Sequence, residues 1–368
     1  MLGADVAFNF SPTIGRVAGI GVQLHWSFIL LMLFALVLSF YIFLVFLLLF
    51  VCVFLHELAH SLTAKRYGIG VKKIVLYPLG GGSIIDLDNV PPSLEFRISI
   101  AGPVSSFLLA FLFGMAVVLL PGGTVKVFVQ LLFILNLLLA VFNILPWFPM
   151  DGGRVLRSYL QRRHSFLDST RTAVKASNVL IVLFIVGTLV YVGLEPGYPF
   201  FYKEFIVLWD VFIAVFLYGG AKAELQAAYL KTYTRGLTAV SAMTKNYIMT
   251  KGSTTLARLY GMVLDKHTHI VLFRNAGKYY VVSRLPYNSL GKMAGGMANQ
   301  SISGFSAELP TLDAKASLYS ALERMQEANT GVAGVLSHGM LVGILQRQHV
   351  ESVIALHVSR AEGRTKNA

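Results

Sequence analysis

At 368 residues the chain can hold two domains of ordinary size, yet only 13% of it is charged and 55% is hydrophobic, with a mean hydropathy of +0.66. An ordinary soluble enzyme, a disordered tail and a collagenous repeat are excluded, because a water-facing surface carries about twice this share of charge. The net charge of +13 does not make nucleic acid a partner: that needs basic residues clustered on one face, and here they fall in short segments between apolar runs.

Residues 1–234 hold nearly all the long apolar runs, and 235–368 read as a mixed, soluble sequence, with the boundary near Lys231 to Arg235. Met1 to Pro12 lacks a basic n-region, so no signal peptide is expected. From Val17 to Ala64 the strongly polar residues are Gln23, His25, His56, Glu57 and His60. A bilayer core takes about 20 helical residues, so this stretch predicts two spans with a tight turn near Leu38 to Tyr41. Val71 to Asp86 follows, rich in β-branched residues and carrying Gly80, Gly81 and Gly82. It predicts a strand or hairpin whose edge an extended peptide could join, with a flexible glycine loop as the other reading. Further spans are predicted over Ser99 to Leu120, Val125 to Pro146, Ala173 to Gly193 and Phe205 to Gly220, punctuated by Pro121, Pro149 and Glu195-Pro196-Gly197. The count is six. Eleven basic residues lie between spans two and three or four and five, against Lys126 and Lys203 in the opposite loops. The positive-inside rule then places both termini in the cytoplasm, which an even number of spans requires.

The second span contains His56-Glu57-Leu58-Ala59-His60. On a helix His56 and His60, four apart, lie on one face and can share a metal, with Glu57 placed to reach a bound water. Each ionisable group inside a span costs a few kcal/mol to insert, so a cluster of them there points to a site. Cys52 is the lone cysteine, which leaves no disulfide framework and no cysteine metal site. Imidazole with carboxylate suits zinc, one ion per chain, with three protein ligands and one open position. For the third ligand the residues leave alternatives. Asp151 ends the fourth span ahead of Gly152 and Gly153, where it could equally cap the helix that begins near Arg154. His25 and Asp210 compete with it, each also readable as a hydrogen-bonded residue between helices.

With H-E-x-x-H in one span and Asn143, Pro146, Pro149 and Asp151-Gly152 at the end of another, residues 17–225 resemble the site-2 protease family of intramembrane metalloproteases. That resemblance implies His56, His60 and Asp151 as zinc ligands, Glu57 as catalytic base and Asn143 beside the scissile carbonyl. Here Asn143 precedes the ligand by eight residues and no proline directly follows it. Ala101-Gly102-Pro103 is similar to the start of the family's third helix.

Residues 235–368 alternate short apolar strands with amphipathic helices in two similar units, one through Val240, Leu256 to Leu264, Ile270 and Tyr279 to Val282. The other runs through Ala316 to Ala328, Gly331 to Leu336 and Leu341 to Leu345 to a helix from His349. This resembles a pair of CBS modules, which implies a homodimerising, regulatory domain. Such pairs often bind adenine nucleotide through an acid three residues after a Ser or Thr. Here Ser283 is followed by Pro286 and Gln346 by His349, so a module that binds no nucleotide stands as the alternative.

The expected fold is therefore a multi-span α-helical membrane protein, with six transmembrane helices and a short membrane-associated β element, joined to a soluble α/β CBS pair. The expected function is zinc-dependent hydrolysis of a peptide bond within or near a transmembrane segment of a substrate protein in the bilayer. The rival is a CBS-regulated metal-binding or ion-transporting membrane protein, which would not need a base beside the metal and would show an inverted repeat.

Overall fold

The computed structural model describes residues 11–78, 80–85, 90–194, 197, 199–266, 270–282, 299–328, 330–350 and 352. Leu79, Asp86, Glu195, Pro196, Ser283 and Pro286 lie outside them. The chain divides into two compact units, Met1–Ala228 and Tyr229–Ala368.

The first unit opens with β1 (Thr13–Val17) and β2 (Ile20–Leu24), an antiparallel pair turned by Ala18 and Gly19 at positive φ. His25 caps α1 (Trp26–Leu38), its Nδ1 accepting from the Ser27 amide at 3.4 Å. Ser39 alone makes the turn: its extended backbone ends α1, and its hydroxyl accepts from Tyr41 N at 3.2 Å to start α2 (Phe40–Arg66). A side-chain cap thus replaces the Gly or Pro that a turn commonly uses. After α2 the chain forms the hairpin of β3 (Val71–Tyr77) and β4 (Gly80–Ile85). β3 pairs in parallel with β2, so the four strands make one sheet in the order β1-β2-β3-β4. The chain leaves this sheet into α1 and returns to it from α2, with Phe28 and Met32 of α1 buried against Phe50 and Val53 of α2 and Ile74 of β3.

Four more long elements complete the unit. α3 (Pro92–Leu119) packs against α2 and α4 (Thr124–Ile144), and the short α5 (Asp151–Leu160) packs against α3 and α6 (Phe166–Leu194). α7 (Phe200–Tyr233) runs on past the division between the units. Among the described residues five helices, α2, α3, α4, α6 and α7, are long and apolar enough to cross a membrane. Their outward faces carry Phe111, Val118, Val182, Leu183 and Leu208 exposed, as lipid contact requires.

The first of the six expected spans is a shorter apolar helix than the others. α1 has 13 residues, about 20 Å of helix against a hydrocarbon core of about 30 Å. The expected start at Val17 falls in strand, where β2 pairs with β3 and its Ile20 packs against α1 and α2.

The second unit repeats one motif twice among the described residues. β5 (Ile248–Thr250), α8 (Leu256–Lys266), β6 (Val271–Asn275) and β7 (Lys278–Val282) give strand, helix, parallel strand and antiparallel strand. After β8 (Ser306–Glu308), which joins β7, the pattern recurs in β9 (Thr311–Asp313), α9 (Leu318–Glu327), β10 (Val332–Ser337) and β11 (Met340–Gln346). Each copy buries its own apolar set, Leu259, Val271 and Phe273 in one and Leu318, Met325 and Val335 in the other.

Candidate metal centre

α2 carries Cys52, His56 and His60 along one buried stripe, because residues four apart lie one above the other on a helix. Both imidazoles are held from behind. His60 Nδ1 donates to the Ile98 carbonyl of α3 at 2.7 Å, which leaves Nε2 as the bare nitrogen, and His56 Nδ1 meets Ser106 Oγ, also on α3, at 3.0 Å.

Asp151 faces the two free nitrogens. Its Oδ2 lies 3.0 Å from His56 Nε2 and 3.0 Å from His60 Nε2. The sequence places it there through a sharp passage from α4 to α5, anchored where Phe148 N donates to Ser177 Oγ of α6 at 2.8 Å. Gly152 is required at this corner, since a Cβ would collide with the Leu145 carbonyl oxygen. The three ligand atoms lie within 4.8 Å of one another, and they form the one group of this kind found among the described residues. Two imidazoles and a carboxylate are the donor set that suits zinc with a position left open, so these residues fit the ion.

Glu57 is half-buried beside the stripe, next to β4. Its carboxylate Oε2 lies 2.7 Å from Ser83 Oγ, and Ser83 Oγ in turn accepts from Ser61 Oγ at 3.0 Å. Gly81 is so close that a Cβ would stand 2.6 Å from Glu57 Cγ. β4 has β3 on one side, and among the described residues no strand pairs with its other edge, which runs past Glu57.

The remaining candidates lie apart from the trio. Asn143 donates Nδ2 to Leu139 O, one turn back on α4, at 2.9 Å. His25 caps α1 and its ring lies tilted against Tyr77, while Asp210 of α7 accepts from Thr188 Oγ1 of α6 at 2.6 Å. The reading of His25 and Asp210 as residues between elements is the one their partners support.

Sequence reasoning missed Ser83, Ser106, and the charged set Glu95, Arg154, Arg157 and Glu224. The two arginines entered the argument only as loop charge, yet Arg157 is buried, its guanidinium paired with Glu95 and lying 5.3 Å from the Phe148 ring centroid. Glu224 gave no sequence signal of a partner, since Lys222 and Gln226 flank it and mark the polar end of the helix.

Residues 44–127 and 122–187 match the model of peptidase family M50. The zinc metalloprotease MJ0392 of Methanocaldococcus jannaschii is 34% identical over 249 residues, 65% of this chain and 67% of the relative. Further putative zinc metalloproteases align over about half of their length, 48% in one of them. Among solved structures, the site-2 protease from Methanocaldococcus jannaschii is similar at 32% identity and a TM-score of 0.43, covering 59% of this chain and 95% of that one. A hexameric CBS-CP12 protein from bloom-forming cyanobacteria is similar at 16% identity and a TM-score of 0.28, over 31% of this chain and 69% of that one.

Proposed function

Since this chain belongs to peptidase family M50, a family of zinc metalloproteases, we propose that His56, His60 and Asp151 hold its catalytic zinc and that Glu57 is the base of intramembrane peptide hydrolysis. The observation that carries the assignment is the Asp151 carboxylate oxygen 3.0 Å from both imidazole nitrogens, with Glu57 on the adjacent helical position. When bound, zinc supplies a water made acidic enough to ionise near neutral pH and a Lewis acid for the scissile carbonyl. Glu57 takes the proton from the attacking water and returns it to the leaving amine. The Ser83 hydroxyl orients the Glu57 carboxylate for both transfers. Asn143 is the residue assigned to the carbonyl side, where an amide donor steadies developing negative charge.

A transmembrane helix is a poor substrate, because its carbonyls are already bonded and its side chains shield them. The free edge of β4 answers this. An unwound substrate segment adds to it as a strand, and the small residues Gly80 to Gly82 let its backbone lie close to Glu57.

Both termini are assigned to the cytoplasm, a reading supported by the basic residues Lys65 and Arg66 at the end of α2 and Lys72 and Lys73 in the strand that follows. The repeated strand, helix, strand, strand unit supports reading the second unit as a CBS-like regulatory pair that joins two copies of the chain.

The test is cleavage of a purified transmembrane substrate by wild type, by Glu57→Gln and after chelation. Cleavage that survives Glu57→Gln sinks the mechanism, and zinc binding with no cleavage by wild type sinks the assignment as a protease.

A further inference from the structure

Two arginines follow Asp151 on the same short helix, and the metal reading alone gives them nothing to do. Arg154 is three residues on, on the same helical face as Asp151, a spacing at which carboxylate and guanidinium ordinarily pair. Such a pair would occupy the carboxylate that must face the histidines.

Arg154 turns instead to α7. Its Nη2 donates to Glu224 Oε1 at 3.0 Å, and Arg157 Nη1 donates to Glu224 Oε2 at 3.1 Å. Arg157 is engaged on its other side by Glu95 of α3, whose second oxygen accepts from Gln161 at 3.2 Å. Two arginines and two glutamates thus balance among themselves, and Asp151 keeps its negative charge for the histidines. α7 is held against this region by close packing: a Cβ on Gly220 would stand 2.6 Å from Pro149 Cδ, and Ala221 packs with Phe148. Glu224 is one turn beyond Gly220, so the same face of α7 presents it to α5.

Arg154 retains the means to pair elsewhere. Its Nε is buried with no hydrogen-bond partner. Glu224 foremost, against the effect of burial, and then Asp151 and Glu95 hold the guanidinium above its ordinary range, so Asp151 attracts it as well.

We propose that Glu224 is a positioning residue that holds Arg154 away from Asp151 and so keeps that carboxylate free to bind the metal. Without Glu224 the guanidinium would turn to Asp151 and compete with the ion. This rests on the assignment of His56, His60 and Asp151 as ligands.

Zinc affinity of the full chain, purified in detergent and measured by competition with a chromophoric chelator, tests it. Glu224→Gln should bind zinc about 10- to 100-fold more weakly, the usual effect of losing a group that supports a ligand. Adding Arg154→Gln to it should restore affinity, which loss of packing alone could not do. Arg154→Gln by itself should bind at least as tightly as wild type. Unchanged affinity in Glu224→Gln, a double variant as weak as the single one, or a weakened Arg154→Gln would each overturn the proposal. The last arm decides even where Glu224→Gln fails to fold. Wild type that binds no zinc, or His56→Ala that binds as wild type does, would instead sink the metal site, and the proposal with it.

Discussion

Gly102 of α3 lies against His60 of α2 so closely that a Cβ there would collide with the imidazole Nε2, and would stand 2.5 Å from His56 Nε2. The smallest side chain is what lets α3 pass against the Nε2 atoms that face Asp151. Gly102→Ala should abolish zinc retention and cleavage together, and metal analysis of the purified variant checks this. A variant that keeps one zinc per chain would show that the helices can part there at no cost.

Glu57→Gln should keep zinc, because the ligand atoms are untouched, while the cleavage rate falls by about 10²- to 10⁴-fold, the range for a lost general base. Metal content and cleavage measured on the same preparation separate the two effects.

Ser106→Ala removes the hydroxyl that steadies His56 and should weaken zinc binding by about 10- to 100-fold, with cleavage restored at high zinc. Chelator competition followed by zinc titration measures it. A loss of cleavage that excess zinc does not restore would place Ser106 in the chemistry rather than behind a ligand.

Prolines along β4 should divide into two classes. In an antiparallel pair alternate amides point at the partner strand, so of the sets Gly80, Gly82, Ile84 and Gly81, Ser83, Ile85 one faces β3 and the other the open edge. Substitutions in the outward set should lower cleavage in an enzyme that remains folded and zinc-loaded. Unchanged cleavage in both sets would remove β4 as the substrate's docking edge.

Glu95→Gln should destabilise the first unit, by less than the roughly 3–5 kcal/mol of a buried charge left with no partner. Arg157 would keep only Glu224, which it shares with Arg154. Thermal unfolding in detergent reads the change.

The candidate metal site was legible because its residues are local. His56, Glu57 and His60 fall within five positions of one helix, and Asp151 stands beside paired glycines that the turn requires. What the sequence concealed was long-range partnership. Ile20 to Leu24 read as the start of a span because its apolar character is the same whether lipid or a strand fifty residues away covers it. Arg157 read as loop charge because its partners, Glu95 and Glu224, stand 62 and 67 residues away. Ser83 and Ser106 gave no signal at all, being ordinary residues whose roles come from what the fold puts next to them.

The parallel pairing of β2 with β3 also dictates an order of assembly. Val22 of β2 is matched with Ile74 of β3, so on that side the β2 backbone has no partner until α1 and α2 have been made and threaded. In hydrocarbon such unpaired amides cost several kcal/mol each. The early strands must therefore wait in water or at the headgroups while the helical hairpin inserts, and the sheet closes only afterwards. On that order His56 and His60 of α2 would enter the bilayer before β3 and β4, the strand bordering Glu57, have paired.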